Sequence, residues 1–477
     1  MKHVHFIGIG GTGLSAMALL LLENGIEVSG SDRQLSPLAR QVQAAGGQVF
    51  VGHRAEQVLG ADLVVRSSAI PNNNVELRAA RQAGIPVYKR ADFLDELIAG
   101  RQVLAVAGTH GKTTTTAMLA WLLSALGQDP SYIIGGVALN LASNAHAGEG
   151  PYFVIEADEY DRMFLGLRPQ LALVTNVEYD HPDCYPTPQD FFQAFVAFVE
   201  RLEPAGSLLV CSDDPGAERL ALLAERLGHR VRRYGLGEAA QYRARDLVPA
   251  EGGYRFELDG AFATASSLRL RLPGEHNVRN ALAALAALQE LGLPLDKATF
   301  ALQDFRGVGR RFELRGKAAG VTVVDDYGHH PTEIQATLAA ARSRFAGRPI
   351  WAVWQPHTYS RTRALLDRFA RAFADADHVL VTEVYPAREA PPKDGFGGQQ
   401  AAQVLQHSDV RFAPNLEDAR RELLAHLRSG DVLLVFSAGD ADQLSGQVLA
   451  ALQESSTTAL QERRATPGAL LGREQDG

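Results

Sequence analysis

The chain has 477 residues, more than a single hydrophobic core accommodates, and its formal net charge of -8 leaves no basic footprint for a nucleic acid. Several domains and no nucleic-acid partner are therefore expected. Two cysteines, Cys184 and Cys211, exclude a disulfide framework and suit the cytoplasm, and the apolar runs at 16–22 and 117–123 fall far short of the ~20 residues that span a bilayer, so no membrane partner is expected.

In chain order, the first unit opens with an apolar strand at 3–9, a helix at 14–24 and a strand at 27–31 that ends at Asp32, and it closes near Gly100. The N-terminus runs straight into that strand, with no apolar h-region or cleavage site, so export is not expected. Gly8, Gly10, Gly11, Thr12 and Gly13 carry the G-x-G-x-x-G pattern, whose glycines let the backbone approach a diphosphate at a helix N-terminus. Asp32 stands where a ribose-binding acid would, and the turn at Ser67 and Ser68 can add hydroxyl and N–H donors. Taken alone, this unit reads as a nicotinamide-dependent oxidoreductase. The stronger phosphate loop in the next unit assigns the first instead to the diphosphate of a nucleotide-linked substrate.

The second unit begins with a strand at 102–107 and a helix from 112 to about 127, joined by Gly108, Thr109, His110 and Gly111 and followed by Lys112, Thr113 and Thr114. Glycines, free backbone N–H groups and the helix dipole make this an anion site; the Lys112 ammonium can reach β and γ oxygens, and the Thr113 hydroxyl can complete a Mg²⁺ shell. The chain holds only six lysines among 47 basic residues, none between Lys112 and Lys297, so a lysine here points to a need for a compact point charge. Without its nucleotide the same loop would be a Gly-Thr turn with a solvated lysine.

Strands at 152–157 and 171–177 each deliver acids at their C-terminal ends: Glu156, Asp158, Glu159 and Asp161 after the first, Glu178, Asp180 and Asp183 with His181 after the second. Such clusters are often solvated loops. Beside a phosphate loop, Glu156 and His181 can hold a second Mg²⁺. A helical stretch at 188–203 and an alanine-rich helix at 276–291 complete the unit, and Asn280, one turn into the latter, is placed to pair with an adenine edge where Asn277 is an ordinary cap.

The link at 306–316 leads to a third unit with strands at 321–325, 350–354, 378–384 and 431–437. One strand end carries Asp325, Asp326, Tyr327, His329 and His330; the next carries Gln355, His357, Tyr359, Arg361 and Arg363. Arg361 can clamp a small carboxylate and His329 can orient or deprotonate an amine, while His330 reads as a structural hydrogen-bonder. Beyond about Gln453 apolar periodicity is lost and disorder is expected.

From Gly8 to about Leu444 these motifs together resemble the Mur ligases. The phosphate loop at 108–114, residues 325–331, residues 307–312 with Arg310, and Gln355 to His357 are most similar to the members that add L-alanine. The resemblance implies an α/β chain of three domains: a Rossmann-like N-terminal domain binding UDP-N-acetylmuramate (1–100), a central P-loop ATPase-type parallel sheet (101–312) and a Rossmann-like domain binding the amino acid (313–453), then a disordered tail (454–477). It implies that the substrate carboxylate attacks the γ-phosphate of ATP, and that the amine of L-alanine then displaces phosphate from the acyl phosphate.

On the family pattern Thr113 binds one Mg²⁺ and Glu156 with His181 another; Asn280 takes adenine and Asp325 the ATP ribose; Lys112, Arg310 and His329 are catalytic; Tyr327, His329, His357 and Arg361 form the amino-acid site. Thr358 departs from relatives that carry arginine there. The family's later-acting members use a carbamylated lysine after the metal-binding histidine, and the absence of lysine between Lys112 and Lys297 argues against them. The ligase that attaches a ready-made tripeptide, an oxidoreductase and a non-catalytic nucleotide sensor are the alternatives.

Overall fold

A computed structural model describes residues 1–250, 252–262 and 267–465, with side chains through 454. It divides into two compact units, Met1–Gly309 and Arg310–Gly477.

The first unit holds two sheets. β1 (His3–Ile7), β2 (Glu27–Asp32), β3 (Gln48–Val51), β4 (Leu63–Arg66) and β5 (Val87–Lys89) form an all-parallel sheet in the order β3-β2-β1-β4-β5. Strand order reverses between β1 and β4. The loops carrying Gly8–Gly13 and Ser67–Ser68 thus leave the sheet at the switch point, where such sheets open a crevice.

The second sheet comprises β6 (Gln102–Ala107), β7 (Ser131–Ala138), β8 (Ser143–His146), β9 (Tyr152–Glu156), β10 (Leu171–Val174), β11 (Ser207–Cys211), β12 (Arg230–Gly235), β13 (Tyr242–Ala250), β14 (Gly253–Gly260) and β15 (Ser267–Leu270). Their order is β15-β14-β13-β12-β11-β10-β6-β9-β7-β8. β6 lies between β9 and β10, parallel to both, so the phosphate loop and both acidic segments emerge side by side at one edge. Val103 to Ala107 are all buried, as a strand covered by helices on both faces requires. The antiparallel extension β13–β15 has no counterpart in the expected elements; Phe256 and Leu258 alternate inward there.

In the second unit, β16 (Glu313–Ala318), β17 (Val321–Asp326), β18 (Ile350–Trp354), β19 (His378–Thr382), β20 (Val410–Ala413) and β21 (Val432–Phe436) are ordered β16-β17-β21-β18-β19-β20, with only β16 antiparallel. β21 runs between β17 and β18 and brings its own C-terminal loop between theirs. The last helix, Asp442–Ala465, runs on into the stretch expected to be disordered, and 466–477 lie outside the described residues. Among the described residues no helix is long and apolar enough to cross a membrane.

Candidate active site

Non-consecutive strands build the phosphate loop jointly. Gly108 and Gly111 adopt φ of +132° and +81°, the left-handed region that favours glycine. A Cβ on Gly108 would collide with Thr175, and one on Gly111 would stand 2.6 Å from the Asn280 carbonyl oxygen, so both glycines are also required by space. Asn176, after β10, clasps the loop from the other side: its Oδ1 accepts from His110 N–H at 2.8 Å and its Nδ2 donates to His110 O at 3.1 Å. The Thr109 hydroxyl donates to Glu178 O at 2.7 Å and accepts from Glu178 N–H at 2.9 Å, while His110 Nε2 meets the Glu178 carboxylate at 2.9 Å. Thr113 and Thr114 follow in the first turn of the helix Lys112–Ala125, both buried.

Lys112 Nζ donates to Gly108 O at 2.5 Å and Thr109 O at 3.0 Å, and pairs with Glu159 at 2.9 Å. Burial alone would lower the pKa of this ammonium, but the carboxylates of Glu159, Glu156 and Asp158 outweigh it and hold the group above its ordinary range. Glu156 accepts from Gly135 N–H at 2.8 Å; the adjoining Gly136 packs near Thr113, so Glu156 and Thr113 both adjoin the Gly135–Gly136 stretch of β7. His181, in the left-handed region at φ +55°, sets Nε2 3.4 Å from Glu159 Oε1. Glu159 therefore links the expected catalytic lysine to the expected metal-binding histidine. No motif marks Glu159; the one signal for it in the sequence is a second glutamate, next to Asp158 in a lysine-poor stretch.

The N-terminal loop reaches the same neighbourhood. Asp32 accepts from Gly10 N–H at 2.8 Å, which makes it a brace for the glycine loop, and Ser36 Oγ donates to Gly10 O at 3.1 Å. Gly8 (φ +90°) and Gly11 turn the chain, and Gly13 gives room to the Arg90 guanidinium, which a Cβ there would strike. Arg90 in turn pairs with Asp158 at 2.7 Å. Burial would raise the Asp158 pKa, but Arg90 and Lys112 hold it below the usual carboxylate range. Ser67 packs beside Gly8, and Ser68 donates to Asp161, so the expected UDP-substrate residues and the acidic segment after β9 adjoin.

In the second unit the loops after β17 and β18 assemble a separate cluster. Asp326 is buried and accepts from Phe312 N–H at 2.8 Å and Gly328 N–H at 2.7 Å; burial pushes its pKa up to about 6. It ties the segment that carries Arg310 and Phe312, both at positive φ, to the loop that carries Tyr327. The Tyr327 ring lies 5.0 Å from each of the Arg310 and Arg311 guanidinium carbons. Arg310 donates to Ser437 O at 2.7 Å and faces Asp442 at 3.5 Å. Burial likewise pushes Asp325 up to about 6; its Oδ2 accepts from Ser445 at 2.9 Å, and its Oδ1 is a buried acceptor with no protein partner.

His329 Nδ1 lies 3.1 Å from Tyr327 O, and since a carbonyl only accepts, Nδ1 carries the proton and Nε2 is the basic nitrogen. Its ring centroid stands 5.9 Å from that of His357. Arg361 is 4% exposed and donates from Nη1 to His357 Nδ1 at 3.0 Å. Thr358 adopts φ +63° and caps the helix Tyr359–Ala364 by accepting from Arg361 N–H. His330 accepts from Thr332 N–H and caps the helix Pro331–Arg344, a structural role.

Family models cover nearly all of this architecture: a Mur ligase family catalytic domain matches 3–102, a Mur ligase middle domain 106–288, and a Mur ligase glutamate ligase domain 310–439. A UDP-N-acetylmuramate–L-alanine ligase of Kineococcus radiotolerans is 47% identical over 459 residues, 95% of this chain and 97% of that one. Among solved structures, a UDP-N-acetylmuramate-alanine ligase of Thermotoga maritima superposes with a TM-score of 0.81 at 28% identity, over 95% of this chain and all of that one. A murein peptide ligase of Psychrobacter arcticus gives 0.75 at 29% identity, over 95% and 99%. Three sheets in the expected order, a lysine-bearing phosphate loop nested in carboxylates and three successive domain matches agree, and the chain belongs to the Mur ligase family.

Proposed function

We propose that this chain is an ATP-dependent ligase that joins the carboxylate of UDP-N-acetylmuramate to the amine of L-alanine, releasing ADP and phosphate, in cytoplasmic synthesis of peptidoglycan precursors. The observation that carries the chemistry is Lys112, an ammonium fixed at the mouth of a phosphate loop by two loop carbonyls and Glu159. The near-full-length relatives support the choice of substrates.

The glycine loop at 8–13, with Asp32, Ser67 and Ser68 about it, receives the UDP diphosphate. Gly108 to Thr114 receive the phosphates of ATP, Asn280 the adenine and Asp325 Oδ1 a ribose hydroxyl. As the substrate carboxylate attacks the γ-phosphorus, negative charge spreads over the equatorial oxygens, where the Lys112 ammonium stabilises it. The acyl phosphate that results is open to the amine of L-alanine, whose carboxylate pairs with Arg361. His329 Nε2 takes the proton that the amine sheds on attack, and Arg310 stabilises phosphate as it departs.

Mg²⁺ fits the donor set. Three carboxylates, Glu156, Asp158 and Glu159, face two fixed cations, Lys112 and Arg90, and the surplus negative charge lies among oxygen donors. Thr113 would hold one ion, and Glu156 with His181 a second; bound there, the metal neutralises charge on the β- and γ-phosphates. Glu156→Gln and His181→Ala are each expected to raise the Mg²⁺ needed for half-maximal rate by about tenfold, leaving UDP-N-acetylmuramate binding within about twofold. Overlapping Mg²⁺ titrations for both variants and the wild type would remove these residues from the metal site.

Phosphate release in the presence of UDP-N-acetylmuramate, ATP and Mg²⁺, scanned over amino acids and the L-Ala-D-Glu-diaminopimelate tripeptide, tests the substrate assignment. L-Alanine is expected to give the highest kcat/KM. Preference for the tripeptide, or ADP release that ignores the amine, would defeat the reading.

A further inference from the structure

We propose that Tyr385, which neither the motifs nor the family pattern singled out, is the positioning residue of the amino-acid pocket and sets its selection for a small side chain. This rests on reading Arg361, His357 and His329 as that pocket.

Tyr385 lies just beyond β19, beside the loop that leaves β18. Its N–H donates to Pro356 O at 2.8 Å and its carbonyl accepts from Thr358 N–H at 2.9 Å, so the backbone on both sides of His357 is bracketed by one residue. The phenol ring lies over the His357 imidazole, 5.8 Å between centroids and 18° from parallel. Behind it is Gly439, where a Cβ would stand 2.5 Å from Tyr385 Cγ; the ring is wedged between an imidazole and a backbone that admits no side chain. Gln355 fixes that backbone, accepting from Ser437 Oγ at 2.8 Å and Ala441 N–H at 3.0 Å.

His357 passes the constraint on. A guanidinium only donates, so His357 Nδ1 is the acceptor for Arg361 Nη1, and the plane of the imidazole sets the direction of the fork. The same imidazole faces His329 across 5.9 Å. With Tyr385 in place His357 cannot swing away, and the separation between the carboxylate clamp and the amine-side histidine is held at one value. A fixed imidazole limits the room left for the side chain of a bound amino acid. A branched side chain would require His357 to turn.

The loop beyond Tyr385 is strapped to the helix that carries Arg361. Glu389 accepts from Ser360 N–H at 2.9 Å, and Arg363 pairs with Asp394 at 2.8 Å while lying 4.7 Å over the Phe396 ring. Tyr385 thus stands at the head of a fastened strap.

Steady-state kinetics of the full chain test this with Tyr385→Ala, Tyr385→Phe and Gly439→Ala, the KM of each of the three substrates being measured, and L-alanine, glycine, L-serine and L-valine compared. Tyr385→Ala and Gly439→Ala, which disturb the ring from opposite sides, are expected to raise the L-alanine KM about tenfold and to narrow the L-alanine over L-valine preference by a similar factor. The KM values for ATP and UDP-N-acetylmuramate should stay within about twofold, and Tyr385→Phe, which keeps the stacked ring, should restore the wild-type L-alanine KM.

An unchanged L-alanine KM in Tyr385→Ala, a parallel rise in all three KM values, or a Phe variant as impaired as the Ala variant would each overturn the proposal. The wild-type amino-acid scan is read separately. If another amino acid proves to be the better substrate, the choice of L-alanine fails while the same ratios, measured with that amino acid, still decide the role of Tyr385.

Discussion

Lys112→Ala is expected to lower the rate of ADP formation by about 10³-fold with the fold intact, because it removes a charge placed for the transferring phosphoryl group. The ammonium is lodged among Gly108 O, Thr109 O and Glu159, and no apolar contact of the core depends on its charge. Its removal leaves Glu159 buried without its cation, so a modest loss of thermal stability should accompany the loss of rate. Lys112→Arg is the sharper variant. It keeps the charge, yet a broad planar fork cannot enter a space bounded by two carbonyls and a carboxylate, so it should fail nearly as badly as alanine. Near-normal turnover in Lys112→Arg, with unchanged secondary structure by circular dichroism, would refute the assigned role.

The loops that chain neighbours complete were legible in the sequence. Gly8 to Gly13 and Gly108 to Thr113 each lie between an apolar strand and a helix, and the glycines at φ +90°, +132° and +81° are where a tight anion loop demands them. What depends on strand order was not. Asn176 and Thr175 grip the phosphate loop because β10 lies beside β6, although residues 108–170, including β7, β8 and β9, intervene in the chain.

Glu159 joins Lys112 to His181 for the same reason, across the ends of β6, β9 and β10. Asp32 looked like a ribose ligand from its place at a strand end, but the fold also spends its carboxylate on Gly10 N–H. Tyr385 belongs to a loop that the pattern of apolar residues leaves unmarked, and only the β18–β19 pairing brings it over His357. The hairpins β13–β15 were missed because only a third of their residues are buried, which thins the apolar signal.

Arg361→Lys is expected to raise the L-alanine KM by tens of fold while the KM values for ATP and UDP-N-acetylmuramate remain near wild type. L-Alanine offers little besides its carboxylate and amine, so a site that selects it must hold the carboxylate with a directed cation. Two arginines are near enough in sequence to serve. Arg363 is half exposed, and Asp394 already takes both of its bonds at 2.8 Å, so it fastens the strap instead. Arg361 is buried and aimed by His357, and the uncharged Thr358 side chain caps the helix. Lysine keeps the charge but loses the fork and the bond to His357 Nδ1. His329→Ala should act on a different constant: with Nδ1 committed to Tyr327 O, Nε2 is the proton acceptor, and its loss should lower kcat by about 10²-fold more than it raises the L-alanine KM. If Arg361→Lys moves all three KM values together, or leaves that of L-alanine where it was, the carboxylate is held by another cation, and Arg310, stacked on Tyr327 beside the same loop, is the one to change next.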